Sequence, residues 1–442
     1  MITSKKKAEL FRYIFIFCVA ELIFVVIGII GYLKNGHFLL PFWDDAKDSF
    51  MDFFHVNYWA LHAGRYSEWR SIYPPISFII GKVLTPDCCY GAQNGFGLRD
   101  CSLPSILLLI VAYLSGVFVF ARAVLRSIYI TSSKKRILLI FCLGTAIILS
   151  FPSLFAIERG NYILLCFIFL ALSLVIKNPW FSGGFISIAI LIKPYLAPLM
   201  LAPLLKKRYQ YVTGIVIFSI LLNLLAAYVL GDPNPFLFIK NILVTKGAGI
   251  ASLYESITST TSMAAWLKLI KSPGIIAYIS EPWSAYLSLA FYVVATCYIL
   301  VIGCILYFIS RLSGAISESE LSLIFILLVL VSVDGVGSYS LLLMLPYLII
   351  YLLNSSGGKA SLNSKVYIFI IGLLYLPADM GVGPSRKISG VSYLSGAVYL
   401  EGSQISLSGL IRPIVVIVLT ALILTDLYKR TKEKQEISGP VI

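Results

Sequence analysis

The chain has 442 residues, 59% of them hydrophobic and only 13% charged, with a formal net charge of +14. Its Leu/Ile/Val/Phe runs approach or reach the ~17–25 residues that span a bilayer as helix, which excludes an ordinary soluble domain. The runs are continuous rather than alternating, which excludes a transmembrane barrel, and the basic residues fall in short clusters that orient a membrane protein, so no nucleic-acid partner is expected.

The predicted fold is therefore an all-α polytopic membrane protein, a single integral domain over 1–442. Lys5, Lys6, Lys7 and Arg12 precede a first span at 14–33, which puts the N-terminus on the cytoplasmic side. That segment carries no small-residue cleavage site and reads as uncleaved. Later basic clusters at 122–136, 206–208 and 429–434 fall on the same side if the chain makes about 12 crossings, which leaves both termini inside. Three long loops then face the extracytoplasmic side, at 34–103, 231–282 and 378–409.

The first of these loops holds all three histidines, His37, His55 and His62, and a cluster of acids in an otherwise charge-poor chain: Asp44, Asp45, Asp48 and Asp52. Read as a helix, 44–63 places Asp48, Asp52, His55, Trp59 and His62 on one narrow face and Phe50, Phe54, Tyr58 and Leu61 on another. An interfacial amphipathic helix stopped at Gly64 is the expectation. Asp44 and Asp45 would sit in its first turn, where the helix dipole favours negative charge. Asp48 and Asp52 would lie deeper, as an unfavourable i,i+4 acid pair, which argues for use rather than capping. Tyr73-Pro74-Pro75 predicts an extended entry into the next helix, because proline disfavours helix for its predecessor.

Of eight cysteines, Cys18, Cys142, Cys166, Cys297 and Cys304 fall in apolar runs, whereas Cys88, Cys89 and Cys101 share the first loop. One disulfide is expected there, from Cys101 to Cys88 or Cys89. Further on, Glu158-Arg159-Gly160-Asn161 forms a turn leading into a span. Between Trp180 and Leu205 too few residues remain for two full crossings at ~1.5 Å per residue. A broken hairpin around Lys193-Pro194-Tyr195 is predicted, and such backbone is tolerated where it lines a site. The loop 245–262, rich in Gly, Ser and Thr, suits an acceptor-side lid or an ordinary surface loop. No zinc-like ligand spacing is present, and neither a metal nor another cofactor is expected.

In that order, the 52–77 stretch, the Glu-Arg-Gly-Asn turn and the Lys-Pro-Tyr hairpin resemble a branch of the GT-C superfamily. The branch comprises polyprenyl-phosphate-sugar-dependent transferases and includes the mycobacterial phosphatidylinositol mannoside mannosyltransferases and arabinofuranosyltransferases. The likeness covers about the first half of the chain. In the second half only 334–346 resembles the family's late Ser-x-Tyr and Leu-Pro span entry. The turn here is Glu-Arg-Gly-Asn where the commoner form is Gly-Gln-x-Asn.

The resemblance implies a glycosyltransferase of the bacterial inner membrane with its site facing the periplasm. It would move a hexose or pentose, with inversion, from a polyprenyl-phosphate donor to a cell-envelope glycan or lipid-linked acceptor. Asp52, with Asp48 second, would be the catalytic base; the phosphate leaves readily, so one base suffices. Arg159 and Lys193 would meet the phosphate, and Asp44, Asp45, His55, Arg65, Tyr73, Glu158, Asn161 and Tyr195 complete the expected substrate-binding set. A lipid-linked glycan flippase or exporter and an O-antigen-type polymerase are the alternative readings.

Overall fold

The computed structural model describes residues 4–35, 49–126, 133–232, 234–245, 262–263, 281–333, 337–355, 364–377, 381–389 and 399–438. Asp44, Asp45, Asp48, His37 and most of the 245–262 loop lie outside the described residues. The architecture is helical. Among the described residues, five helices are long and apolar enough to cross a membrane: Arg12–Lys34, Pro104–Arg126, Tyr209–Leu230, Tyr292–Leu312 and Ile411–Glu433. A sixth span arises if the pair Ser133–Leu149 and Phe151–Arg159, bent by 58°, counts as one, and six shorter apolar helices accompany them.

The chain forms two compact units. One comprises Met1–Asp44, Leu149–Pro152 and Ile250–Ile442. It contains α1 (Ser4–Asn35) and, in chain order after position 250, α13 (Glu281–Leu312), α14 (Glu318–Ser332), α15 (Leu345–Ser355), α16 (Ser364–Tyr375) and α17 (Leu407–Ser438). A capping box of Ser317 and Glu320 starts α14. Arg430 of α17 then ties Glu320 (2.9 Å) to Asp426 (3.0 Å), and Tyr351 donates to Asp426 at 2.7 Å, so charges placed among apolar helices are paired. The last long loop departs from an all-helical chain: Gly381–Ser389 and Tyr399–Ser406 form an antiparallel two-stranded ribbon.

The other unit, Asp45–Ile148 and Ser153–Gly249, carries Asp52, the Glu158–Asn161 turn and Lys193. Its helices are α2 (Met51–Ala60), α3 (Pro75–Leu84), α4 (Gly95–Ser102), α5 (Pro104–Arg126), α6 (Ser133–Leu149), α7 (Phe151–Arg159), α8 (Ile163–Val175), α9 (Pro179–Ile192), α10 (Leu201–Leu205), α11 (Tyr209–Leu230) and α12 (Leu237–Thr245). Apolar area is no driving force between helices in lipid, so close approach and polar contacts hold them. At α9 and α11, a Cβ on Gly183 would stand 2.9 Å from the Tyr211 carbonyl oxygen. Ser187 donates across the same interface to the Ile215 carbonyl at 2.8 Å, and Ser182 to the Tyr211 hydroxyl at 2.9 Å.

The described part of the first loop, from 49 to 103, is a packed helical layer. Helix α2 starts at Met51, because Phe50 has a left-handed backbone (φ 64°) that a continuous helix from 44 would not allow. Its sides are more covered than an amphipathic helix lying alone would show: Met51, Phe53, Phe54, Val56, Asn57 and Ala60 are buried, with α3 and α4 packed against it. Asp52 consequently lies in the first turn, not deep in the helix, where the N-terminal dipole favours a carboxylate. As the Pro-Pro pair predicts, Pro74 is extended and α3 begins at Pro75. The disulfide joins Cys89 to Cys101, which settles the partner left open by the sequence; Cys88 is free and exposed. At the expected break, α9 ends at Ile192, Lys193 is extended, and a 3-10 turn over Pro194–Met200 follows.

Candidate functional site

The Glu-Arg-Gly-Asn turn docks on the start of α2. The Phe50 amide donates to the Glu158 carbonyl at 2.8 Å. Gly160 sits at φ +64°, and a Cβ there would be 2.9 Å from the Phe53 Cβ and 3.2 Å from the Phe50 Cα, so both conformation and space demand glycine. Two left-handed residues, Phe50 and Gly160, thus meet where the two segments touch.

This docking delivers a carboxylate to two donors. Arg159 Nη2 donates to one oxygen of Asp52 at 3.0 Å, and Asn161 Nδ2 to the other at 2.7 Å. Asn161 is itself fixed, since its side-chain oxygen accepts from the Ile163 amide at 3.0 Å at the start of α8. Asp52 and Arg159 each keep 24% of their side-chain surface exposed. Burial pushes the Asp52 carboxyl above the ordinary aspartate range, while the Asn161 hydrogen bond and the positive charge of Lys193 draw it part of the way back.

Lys193 and Tyr73 form the adjoining pair. Lys193 is buried; its Nζ donates to the Tyr73 hydroxyl at 3.4 Å and lies 5.0 Å from the ring centre. Burial, with the negative charge of Asp52, holds the Tyr73 phenol well above its usual value, so it is a protonated donor at neutral pH. Four residues from four separate stretches of sequence, Asp52, Tyr73, Arg159 and Lys193, are therefore electrostatically linked around one partly open carboxylate.

The other expected residues sit differently. Arg65 is 4% exposed and pairs with Asp232, while its remaining nitrogens donate to the Ala60 (3.2 Å) and Trp59 (3.4 Å) carbonyls. It closes the C-terminus of α2. Glu158 is buried beside the turn, His55 is half-buried against α4, and Tyr195 is half-buried in the 3-10 segment. Asp232, Asn57 and Tyr162 escaped the sequence reading. Tyr162 donates to Asn57 between α8 and α2, and a Cβ on Gly81 would meet the Asn57 side-chain oxygen at 2.7 Å, so this buried contact clamps α2 onto α3 and α8. A lone Asn in an apolar helical stretch was the available signal.

Residues 72–332 match glycosyltransferase family 87, more than half of the chain. The chain belongs to that family. With its apolar helices it is a membrane glycosyltransferase of the GT-C type. The matched range takes in Tyr73, the Glu158–Asn161 turn and Lys193, and begins after Asp52. No curated protein and no solved structure shows significant similarity to the chain.

Proposed function

We propose that the family member described above transfers a sugar from a polyprenyl-phosphate donor to a cell-envelope glycan or lipid-linked acceptor, on the periplasmic face of a bacterial inner membrane. The observation that carries this reading is the Asp52 carboxylate, oriented through both oxygens by Arg159 and Asn161 yet still a quarter exposed. Asp52 takes the proton of the acceptor hydroxyl as that oxygen attacks the anomeric carbon. The bond from that carbon to the phosphate oxygen breaks, the polyprenyl phosphate departs, and the anomeric centre is inverted. Arg159 and Lys193 supply the positive charge a departing phosphate requires at a low-dielectric boundary, and the Tyr73 phenol donates a hydrogen bond.

The ordered likeness to the mycobacterial mannosyltransferase and arabinofuranosyltransferase branch supports the donor class. The Cys89–Cys101 disulfide supports placing this layer on the oxidising side. The about twelve crossings inferred from the basic clusters belong to the same reading. Asp48 is the second candidate base.

The test is turnover by purified protein in lipid with a panel of polyprenyl-phosphate sugars, product and released lipid phosphate being followed by mass spectrometry. Wild-type transfer with loss in Asp52→Asn is expected. Undiminished transfer by Asp52→Asn and by Asp48→Asn would remove the base assignment, and glycan movement without bond cleavage would favour an exporter.

A further inference from the structure

A row of rings runs along α2 away from Asp52. Asp52, His55 and Trp59 share one face of α2 at helical spacing, so the row extends about 10 Å from the carboxylate to Trp59, and His62 follows just past the helix end in extended backbone. His55 and Trp59 lie in near-parallel planes with ring centres 6.1 Å apart, and Trp59 and Trp69 likewise at 6.4 Å. Rings in face contact stand roughly 3.5–4 Å apart, so these are offset, and all three are only half-buried. Tyr58 and His62 flank them, with Trp69 5.5 Å from Tyr58 and 5.7 Å from His62.

The fold goes to some length to hold Trp69 there. The Trp69 and Glu68 amides both donate to the Gly64 carbonyl, the following Arg70 is left-handed (φ 47°), and Asn241 of α12 donates to the Tyr66 and Ser71 carbonyls at 3.0 Å each. The polar edges of the row are open. His62 Nδ1 donates to the Tyr58 carbonyl at 2.8 Å, leaving Nε2 as an acceptor, and neither indole N–H of Trp59 or Trp69 has a partner among the described residues. Glu68 and Arg70 are exposed beside them.

We propose that this row is the acceptor subsite and binds the glycan chain of the acceptor, several sugar units long, with its reactive end at Asp52; this rests on the transferase reading above. The apolar faces of sugar rings cover offset aromatic faces, and their hydroxyls satisfy the indole, imidazole and carboxylate groups at the rim. An acyl chain would cover the rings but leave those polar groups unanswered, which is why the occupant is a glycan rather than lipid. Continuity with Asp52 fixes the polarity of the chain.

The experiment is a titration of the full-length protein in lipid nanodiscs with soluble hexose and pentose oligosaccharide ladders, read by tryptophan fluorescence and calorimetry. It needs no turnover, so its outcome is separate from whether Asp52 acts as base. Affinity rising with chain length is expected, with Trp59→Ala and Trp69→Ala each weakening the longer oligosaccharides roughly fivefold to tenfold. Trp59→Phe retains most of the binding and controls for misfolding, as does the thermal unfolding of each variant. Wild-type protein that binds no ladder, or affinities independent of length and unchanged in correctly folded Trp→Ala variants, would overturn the proposal and leave the row as a bilayer anchor.

Discussion

Two arginine–aspartate pairs in the same unit show what distinguishes an oriented but open carboxylate from a bracing one. Arg65 and Asp232 are 4% and 7% exposed, and Arg65 spends its other nitrogens on carbonyls at the end of α2. Asp52 and Arg159 are each 24% exposed, and the second oxygen of Asp52 is held by a side chain that is itself anchored to a helix start. The first pair is closed off from solvent. The second is oriented but open, which suits a group that exchanges a proton with a ligand.

If that contrast is right, the two pairs fail differently. Asp52→Asn lowers kcat by roughly 10²–10⁴-fold, measured as sugar transfer in lipid, while the fold persists by thermal unfolding. Arg65→Ala instead leaves the buried Asp232 charge unpaired and costs about 3–5 kcal/mol of stability, read as a lower unfolding midpoint, with transfer per folded molecule little changed. An Arg65→Ala protein that folds normally but does not turn over would erase the distinction.

Smaller effects sharpen it. Losing the Cys89–Cys101 link by Cys89→Ser costs about 2–4 kcal/mol, checked by unfolding with and without reductant, since the wild type alone responds to reduction. Gly160→Ala costs about 1–3 kcal/mol from the left-handed backbone, and it also pushes the Asn161 turn off α2, so transfer drops as well as stability.

The smallest effect is in pH dependence. Because burial raises the Asp52 carboxyl, the acid limb of kcat/KM lies above the ordinary aspartate value of about 4. Lys193→Met removes a charge that draws it down and moves the limb higher. The sign for stability is the opposite of a paired surface aspartate. The folded state binds the proton more tightly than the unfolded one, so this group's contribution weakens as pH rises from the unfolded value through the folded one, and Asp52→Asn abolishes that decline.

Asp52, Arg159, Asn161 and Lys193 were legible because each departs from its surroundings: an acid or cation beside an apolar run, or a turn entering a span. Their meeting was not legible, since it depends on Phe50 taking a backbone that a bulky residue rarely adopts. The same residue explains why the helix begins at 51, whereas the packing of α3 and α4 against it is what buries its sides. Arg65 carried no mark of its fate, because its partner Asp232 lies 167 residues away.

Composition alone determined that the chain is helical and membrane-embedded, because a bilayer accepts only backbone whose polar groups are satisfied within the segment, and apolar run length reports that directly. Basic clusters between the runs supplied only an expected orientation. What the tertiary structure decided is which charges are closed off and which remain open, because burial and hydrogen-bond geometry arise only when segments distant in sequence pack together.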